Sequence, residues 1–161
     1  MTRSRKKHLA AALTACLGAL AYTVSKVDLA RKGELGMPGF PAPTGAYAAV
    51  ADVETAQLAN AALGLLMAVV ALLLLRLPRN PFVRWPALVV SWAGIAMVGA
   101  GVLGFGARAA GLAPSLGETP PHMLPALAAL LVGGLWVTAW TIATVSATRS
   151  SRRRCTTSAN Q

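Results

Sequence analysis

Four stretches of this 161-residue chain are apolar over lengths that would cross a lipid bilayer. A transmembrane helix needs about 17–25 predominantly apolar residues. The predicted spans are residues 9–26, 56–76, 87–107 and 123–147, and the charged residues in them, Lys26 and Arg76, lie at their ends. None alternates with the period of two that a half-buried strand shows. Because a lone segment in hydrocarbon satisfies its backbone only as a helix, the sequence predicts an all-α integral membrane protein, a four-transmembrane-helix bundle.

Charged residues differ in sign from one connecting segment to the next. The basic tails 1–8 and 148–161 and the turn between the second and third spans hold eleven Lys and Arg and no acid. The loops 27–55 and 108–122, with Lys26, hold four basic residues and all five acids. Excess Lys and Arg in short loops marks the cytoplasmic side. The sequence therefore predicts both termini in the cytoplasm and both loops outside a plasma membrane.

The net charge of +10 would suggest nucleic acid as the partner of a soluble protein. Here the basic residues flank apolar spans, which indicates a bilayer with anionic lipid at its inner face instead. We expect no nucleic acid partner. The Ala- and Arg-rich composition is typical of a high-GC bacterial coding bias, so neither frequency is interpreted as function.

The first span has two alternative interpretations as a processed segment. Ala19-Leu20-Ala21 is a possible signal-peptide cleavage site, and Leu13-Thr14-Ala15-Cys16 resembles a lipobox in which Cys16 would be lipidated. Signal peptides carry an apolar core of about 7–15 residues, and the first span is longer. An uncleaved helix is therefore the favoured interpretation.

The connecting segments carry their own turn and helix signals. Residues 33–43 are rich in Gly and Pro, which predicts turns. Thr44 is a candidate cap for a helix that begins near Ala46 and continues into the second span. The tight turn at residues 78–81 makes the second and third helices antiparallel neighbours. The polar, basic segment 148–161 is expected to be disordered.

Small residues recur every four positions on the predicted helices, a pattern that favours close packing in lipid. They are Ala11, Ala15, Ala19 and Thr23 on the first helix, Ala56, Asn60, Gly64 and Ala68 on the second, Ala96, Ala100 and Gly104 on the third, and Ala129 and Gly133 on the fourth. An alanine-rich chain also forms such stripes by chance. Asn60 is the most informative member, because a buried amide needs a partner across the helix pair.

The middle of every span lacks Asp, Glu, Lys, Arg and His. Ionisable groups inside a membrane mark proton and ion pathways, so proton-coupled pumps are disfavoured. The histidines, His8 and His122, lie outside the spans, which disfavours haem. Cys16 and Cys155 form no CxxC pair or metal-ligand spacing. We therefore expect no cofactor, no metal and no catalytic motif.

Two sets of residues are candidates for function. The outer-face set is Lys26, Asp28, Arg31, Arg108, Glu118 and His122, and the intramembrane polar set is Asn60, Thr138, Thr141 and Thr144. The first set would line a shallow pocket, and the alternative is that its cations reach the lipid headgroups. The second would line a polar path, and the alternative is that each hydroxyl bonds its own helix one turn back. The indole of Trp136, near mid-membrane, is expected to find a hydrogen-bond partner.

Three functional hypotheses follow. The first is a non-enzymatic accessory or interaction subunit whose outer loop contacts another membrane protein or a second copy of the chain. The second is a conduit or carrier for a small uncharged or amphiphilic solute, which would use Asn60 and the threonine face. The third is a membrane enzyme that would use Asp28, Arg108 and His122 on the outer face. A filled, dry core beneath an ordered outer loop would favour the first.

Overall fold

The computed structural model of the protein describes residues 3–37, 40–78, 80–116, 119 and 123–158. The elements are α1 (Arg3–Lys32), β1 (Gly36–Met37), β2 (Phe40–Pro41), α2 (Thr44–Ala48), α3 (Val53–Leu73), α4 (Pro81–Ala109) and α5 (Met123–Ser158). Strands β1 and β2 pair antiparallel, with Gly36 opposite Pro41 and Met37 opposite Phe40. We call them the hairpin, and the end of the bundle that carries them the hairpin end. The opposite end, with a 3₁₀ turn at Leu74–Arg76, is the turn end.

Helices α1, α3, α4 and α5 form the bundle. Segments Arg5–Lys32, Val53–Arg76, Pro81–Ala109 and Met123–Arg149 are long and apolar enough to cross a membrane. Each contains one predicted span, so the all-helical class and the four apolar helices are confirmed. Large aliphatic side chains such as Leu17, Leu103 and Leu131 are exposed on the outside of the bundle. In lipid this arrangement carries no hydrophobic penalty, because lipid tails are as apolar as leucine.

Glycine ends two of these helices at the hairpin end. Gly33, with φ of 65°, follows α1, and the amide of Glu34 donates to the carbonyl of Leu29. Gly111, with φ of 70°, follows α4, and the amide of Leu112 donates to the carbonyl of Ala107. Both are Schellman ends, in which a left-handed glycine lets the chain turn back onto the last carbonyls. Helix α1 therefore continues well past Lys26, the predicted end of the first span.

The N-termini of α3 and α4 are capped by side chains. Asn80 accepts a hydrogen bond from the amide of Phe82, and Asp52 accepts from the amides of Glu54 and Thr55. The prediction that Thr44 begins a helix continuous with the second span is wrong. Helix α2 ends at Ala48, and α3 begins separately behind Asp52. The Asp52 carboxylate accepts hydrogen bonds from two backbone amides that have no partner within the helix. An N-cap of this kind fixes the residue at which a helix begins.

The Asp52 cap predicts a pH response at the start of α3. The Thr55 hydroxyl and the Thr55 and Glu54 amides donate to the carboxylate, which lowers the pKa of Asp52 below its ordinary value. A depressed folded-state pKa stabilises the fold above the ordinary value of about 3.9, and this contribution is lost as the pH falls through the lower folded-state value. We expect the Thr55 amide resonance in NMR spectra to titrate below pH ~3.9. Asp52→Asn, which still caps, should abolish that titration; a midpoint at the ordinary value would contradict the prediction.

Helix α1 lies between α3 and α5, and α5 also packs against α4. Helices α3 and α4 follow each other through a short turn, as predicted, yet they contact each other less than α1 contacts α3. The buried alanines of α1 explain why α1 and α3 have the larger contact. Ala15 and Ala19 are fully buried, and small side chains let neighbouring backbones approach closely.

The small-residue stripe predicted on α4 is wrong. Ala96 and Ala100 are exposed, and the buried face of α4 carries Ser91, Gly94 and Ile95 instead. The reason is the indole of Trp140 on α5, which lies where a Cβ at Gly94 would be. The position of this large side chain therefore determines which face of α4 is buried. The spacing of alanines every four residues does not determine it.

Helix α5 continues beyond the predicted fourth span, which ends at Ala147. The structure has helix through Ser158, in a segment that is predicted from its composition to be disordered. No Gly or Pro lies between Ala147 and Ser158, so nothing in the local sequence stops the helix there.

Candidate functional site at the hairpin end

Lys26 lies beneath the hairpin, with only 7% of its surface exposed. Its Nζ donates to the carbonyl oxygen of Gly36 at 2.6 Å and lies 5.4 Å from the ring centroid of Tyr22. A buried ammonium is tolerated only when it is paired or hydrogen-bonded. Helix α1 continues past Lys26, and the chain then folds back so that strand β1 lies over the lysine. The hydrogen bond from Lys26 therefore attaches β1 to α1.

Gln57 on α3 makes the matching contact from the other side. It is 1% exposed, and its Nε2 donates to the carbonyl oxygen of Glu34 at 2.7 Å. Two neighbouring helices thus each donate a side-chain hydrogen bond to residues 34–36. Gln57 Oε1 is buried and lacks a partner among the residues described. Gln57 is not among the residues predicted from the sequence, although an amide in the first turns of an apolar helix is a signal for such a contact.

Further contacts hold other described residues of the loop. The Tyr47 hydroxyl accepts from the amide of Leu35 at 3.0 Å, and the amide of Ala42 donates to the Leu35 carbonyl at 2.8 Å. Phe40, which is buried, packs edge-on against Phe105 of α4 with ring centroids 5.2 Å apart. Ala126 of α5 belongs to the same apolar cluster. We call Lys26, Gln57, Tyr47 and Phe40 the clasp.

Four of the six predicted outer-face residues lie in the described part of the chain, and Lys26, beneath the hairpin, is the buried one among them. Asp28 and Lys32 form an exposed ion pair at 2.6 Å on the surface of α1, and Arg31 is exposed. Arg108 is half-buried in the last turn of α4. Glu118 and His122 lie outside the described residues. Within the described part of the chain, no group of three His, Cys, Asp or Glu side chains is placed to hold a metal ion.

The predicted intramembrane threonines mostly bond their own helix. Thr141 Oγ1 donates to the carbonyl of Val137 at 2.8 Å and Thr144 Oγ1 to that of Trp140 at 2.9 Å, while Thr138 is exposed. This is the bonding one turn back that membrane threonines commonly adopt. Asn60 is half-buried, and its side-chain amide makes no hydrogen bond to another residue that the structure describes.

A small polar cluster closes the interface between α4 and α5. The indole N–H of Trp140 donates to Ser91 Oγ at 2.8 Å, and Ser91 Oγ lies 2.7 Å from Thr144 Oγ1. All three residues are fully buried. Every polar group of this cluster has a partner, so it joins the helices without requiring water. Ser91 is not among the residues predicted from the sequence.

Trp136 departs from its prediction. Its ring stacks on Trp140 with centroids 6.0 Å apart and lies 5.8 Å from the ring of Tyr22. The indole nitrogen is buried, and no hydrogen-bond partner for it lies within the described residues. Apolar and aromatic packing therefore positions this residue.

These observations define a bundle of four apolar helices, compatible with a membrane protein, whose hairpin is held by buried side chains. No known protein family, curated protein or solved structure matches the chain.

Proposed function

We propose that this chain is a multi-pass protein of the plasma membrane that acts as a non-enzymatic accessory or interaction subunit. Its hairpin end faces outward and both termini face the cytoplasm. Its partner is another membrane protein or a second copy of the chain, and the contact surface is the loop between α1 and α3. The charge distribution supports the orientation, because the acids belong to the hairpin end and the turn end is basic.

The clasp is the observation that carries this proposal. Burying the Lys26 ammonium costs free energy, and its hydrogen bond goes to the backbone of the hairpin. Gln57 and Tyr47 hold the neighbouring residues 34 and 35. A loop held from several sides binds a partner with little loss of conformational entropy. The clasp therefore supports a preformed contact surface.

The packing of the helices supports a scaffold over a conduit. A conduit needs polar groups that remain available to a passing solute. The hydroxyls of Thr141 and Thr144 already donate to their own helix, and Ser91 accepts from the indole of Trp140. The ring of Tyr22 on α1 packs on Trp136 of α5, and Trp136 stacks on Trp140, whose ring lies against Gly94 of α4.

Site-specific photo-crosslinking in intact cells tests this function. A photoreactive residue at Ala48, exposed on α2 at the hairpin end, should give one discrete protein adduct, with another protein or a second copy. The matched control is Ala96, exposed midway along α4, which should give none because it faces lipid. Absence of a protein adduct at Ala48, or the same adducts at both positions, would overturn the proposal.

A further inference from the structure

A groove runs between α4 and α5 toward the turn end. Its lining is Trp92 on α4 with Val145, Thr148 and Arg149 on α5. Trp92 and Arg149 are exposed, and Val145 and Thr148 are half-buried. The Thr148 hydroxyl donates to the carbonyl of Thr144 at 2.8 Å. The charged group of the lining is therefore the guanidinium of Arg149, above an otherwise largely apolar wall.

The register of the two helices places these residues at different depths. Ser91 lies beside Thr144, and the two helices run antiparallel, since Gly133 meets Val102 farther along. At about 1.5 Å of rise per residue, Arg149 lies roughly 7–8 Å nearer the turn end than Thr144. It is also the last residue of the apolar segment Met123–Arg149. One part of the groove is therefore lined by apolar side chains, and the part nearer the turn end is lined by the cation of Arg149.

Arg84 adds a second cation at similar depth. It lies seven residues before Ser91, about two turns nearer the turn end and on the same face of α4. Its side chain is half-buried, and its Nε is buried without a hydrogen-bond partner among the residues described. A guanidinium nitrogen removed from water in this way favours a nearby anion.

We propose that this groove binds one anionic phospholipid. The phosphate lies at Arg149, with Arg84 contributing positive potential, and the first part of an acyl chain lies against Trp92 and Val145. Charge complementarity carries the choice of occupant, because the tails and the turn at this end hold no acidic residue. Basic pockets between transmembrane helices bind anionic headgroups in this way. The proposal requires insertion into a bilayer but not the accessory role, so the two can fail separately.

Native mass spectrometry of the full chain tests this site. The protein is released from micelles that contain equal amounts of phosphatidylglycerol and phosphatidylcholine. We expect one retained phosphatidylglycerol per chain and, in Arg149→Gln, a preference over phosphatidylcholine reduced about fivefold. The matched control is Arg76→Gln, an exposed arginine of the same end, which should keep the preference. Equal losses in both variants would overturn the groove in favour of a diffuse basic surface.

A second pair of variants tests the apolar part of the groove. Val145→Trp should fill it and lower retention of the lipid, whereas Ile142→Trp, on an exposed position of α5 outside the lining, should not. Unchanged retention in Val145→Trp would overturn the proposal. If Val145→Trp abolished a dimer and left lipid retention unchanged, the proposal would also be overturned. The groove would then be a contact between two copies of the chain. Arg149 is exposed, so Arg149→Gln should fold normally. Its result therefore tests the proposal even if Val145→Trp does not fold.

Discussion

Gly94→Val is expected to lower the free energy of unfolding of the bundle by about 2–5 kcal/mol. A Cβ at this position would overlap the ring of Trp140, which is fully buried. The ring is held on its other side by Trp136 and through its N–H by Ser91. It moves aside only by breaking that hydrogen bond, so the cost of overpacking and the cost of an unpaired buried indole add. The measurement is thermal unfolding of the detergent-solubilised protein, followed by tryptophan fluorescence.

Gly101→Val on the same helix is the matched control. Gly101 is exposed, and a Cβ there would have no atom within 4 Å. Both variants exchange glycine for the same β-branched residue within α4, so their effects on helix propensity are alike. A large loss in Gly94→Val with little change in Gly101→Val would assign the cost to Trp140. Equal shifts in the two variants would contradict the packing described here.

The number of long apolar helices was predictable because each depends on one segment alone. An uncharged run of sufficient length has one structure in hydrocarbon, whatever its neighbours are. The helix ends were less well predicted, since charges were used to mark them. Lys26 does not stop α1, because a lysine is a good helix former. The helix ends only before Gly33, whose positive φ lets the chain reverse.

The buried faces and the clasp were not predictable, because they depend on pairs of segments. Lys26, Asp28 and Arg31 are close in sequence and were grouped together, but residues on a helix point in directions about 100° apart. One lies beneath the hairpin and the other two are exposed. Gln57 and Ser91 acquire their roles from the Glu34 carbonyl and the Trp140 indole. Neither partner can be identified before the order of the helices is known.

Lys26→Met is expected to release the hairpin while leaving the four helices folded. Methionine keeps an unbranched apolar stem but cannot donate to the Gly36 carbonyl, which would lose the bond from Nζ. Leaving a buried acceptor without its donor costs about 1–3 kcal/mol. The expected result is hydrogen exchange faster by about 5- to 150-fold at the amides of Leu35 and Ala42. The helices should keep their thermal stability, since the variant also removes a buried charge whose desolvation opposes folding.

Lys32→Met is the control for this prediction. It removes the same positive charge from the same helix, but Lys32 is exposed and pairs with Asp28 at the surface. Exposed pairs contribute little, so the Leu35 and Ala42 amides should exchange as in the unmodified protein. Slow exchange at these amides in Lys26→Met would show that the lysine does not hold the hairpin. Faster exchange there together with loss of the Ala48 crosslink would connect the clasp to partner binding, because the same loop carries both.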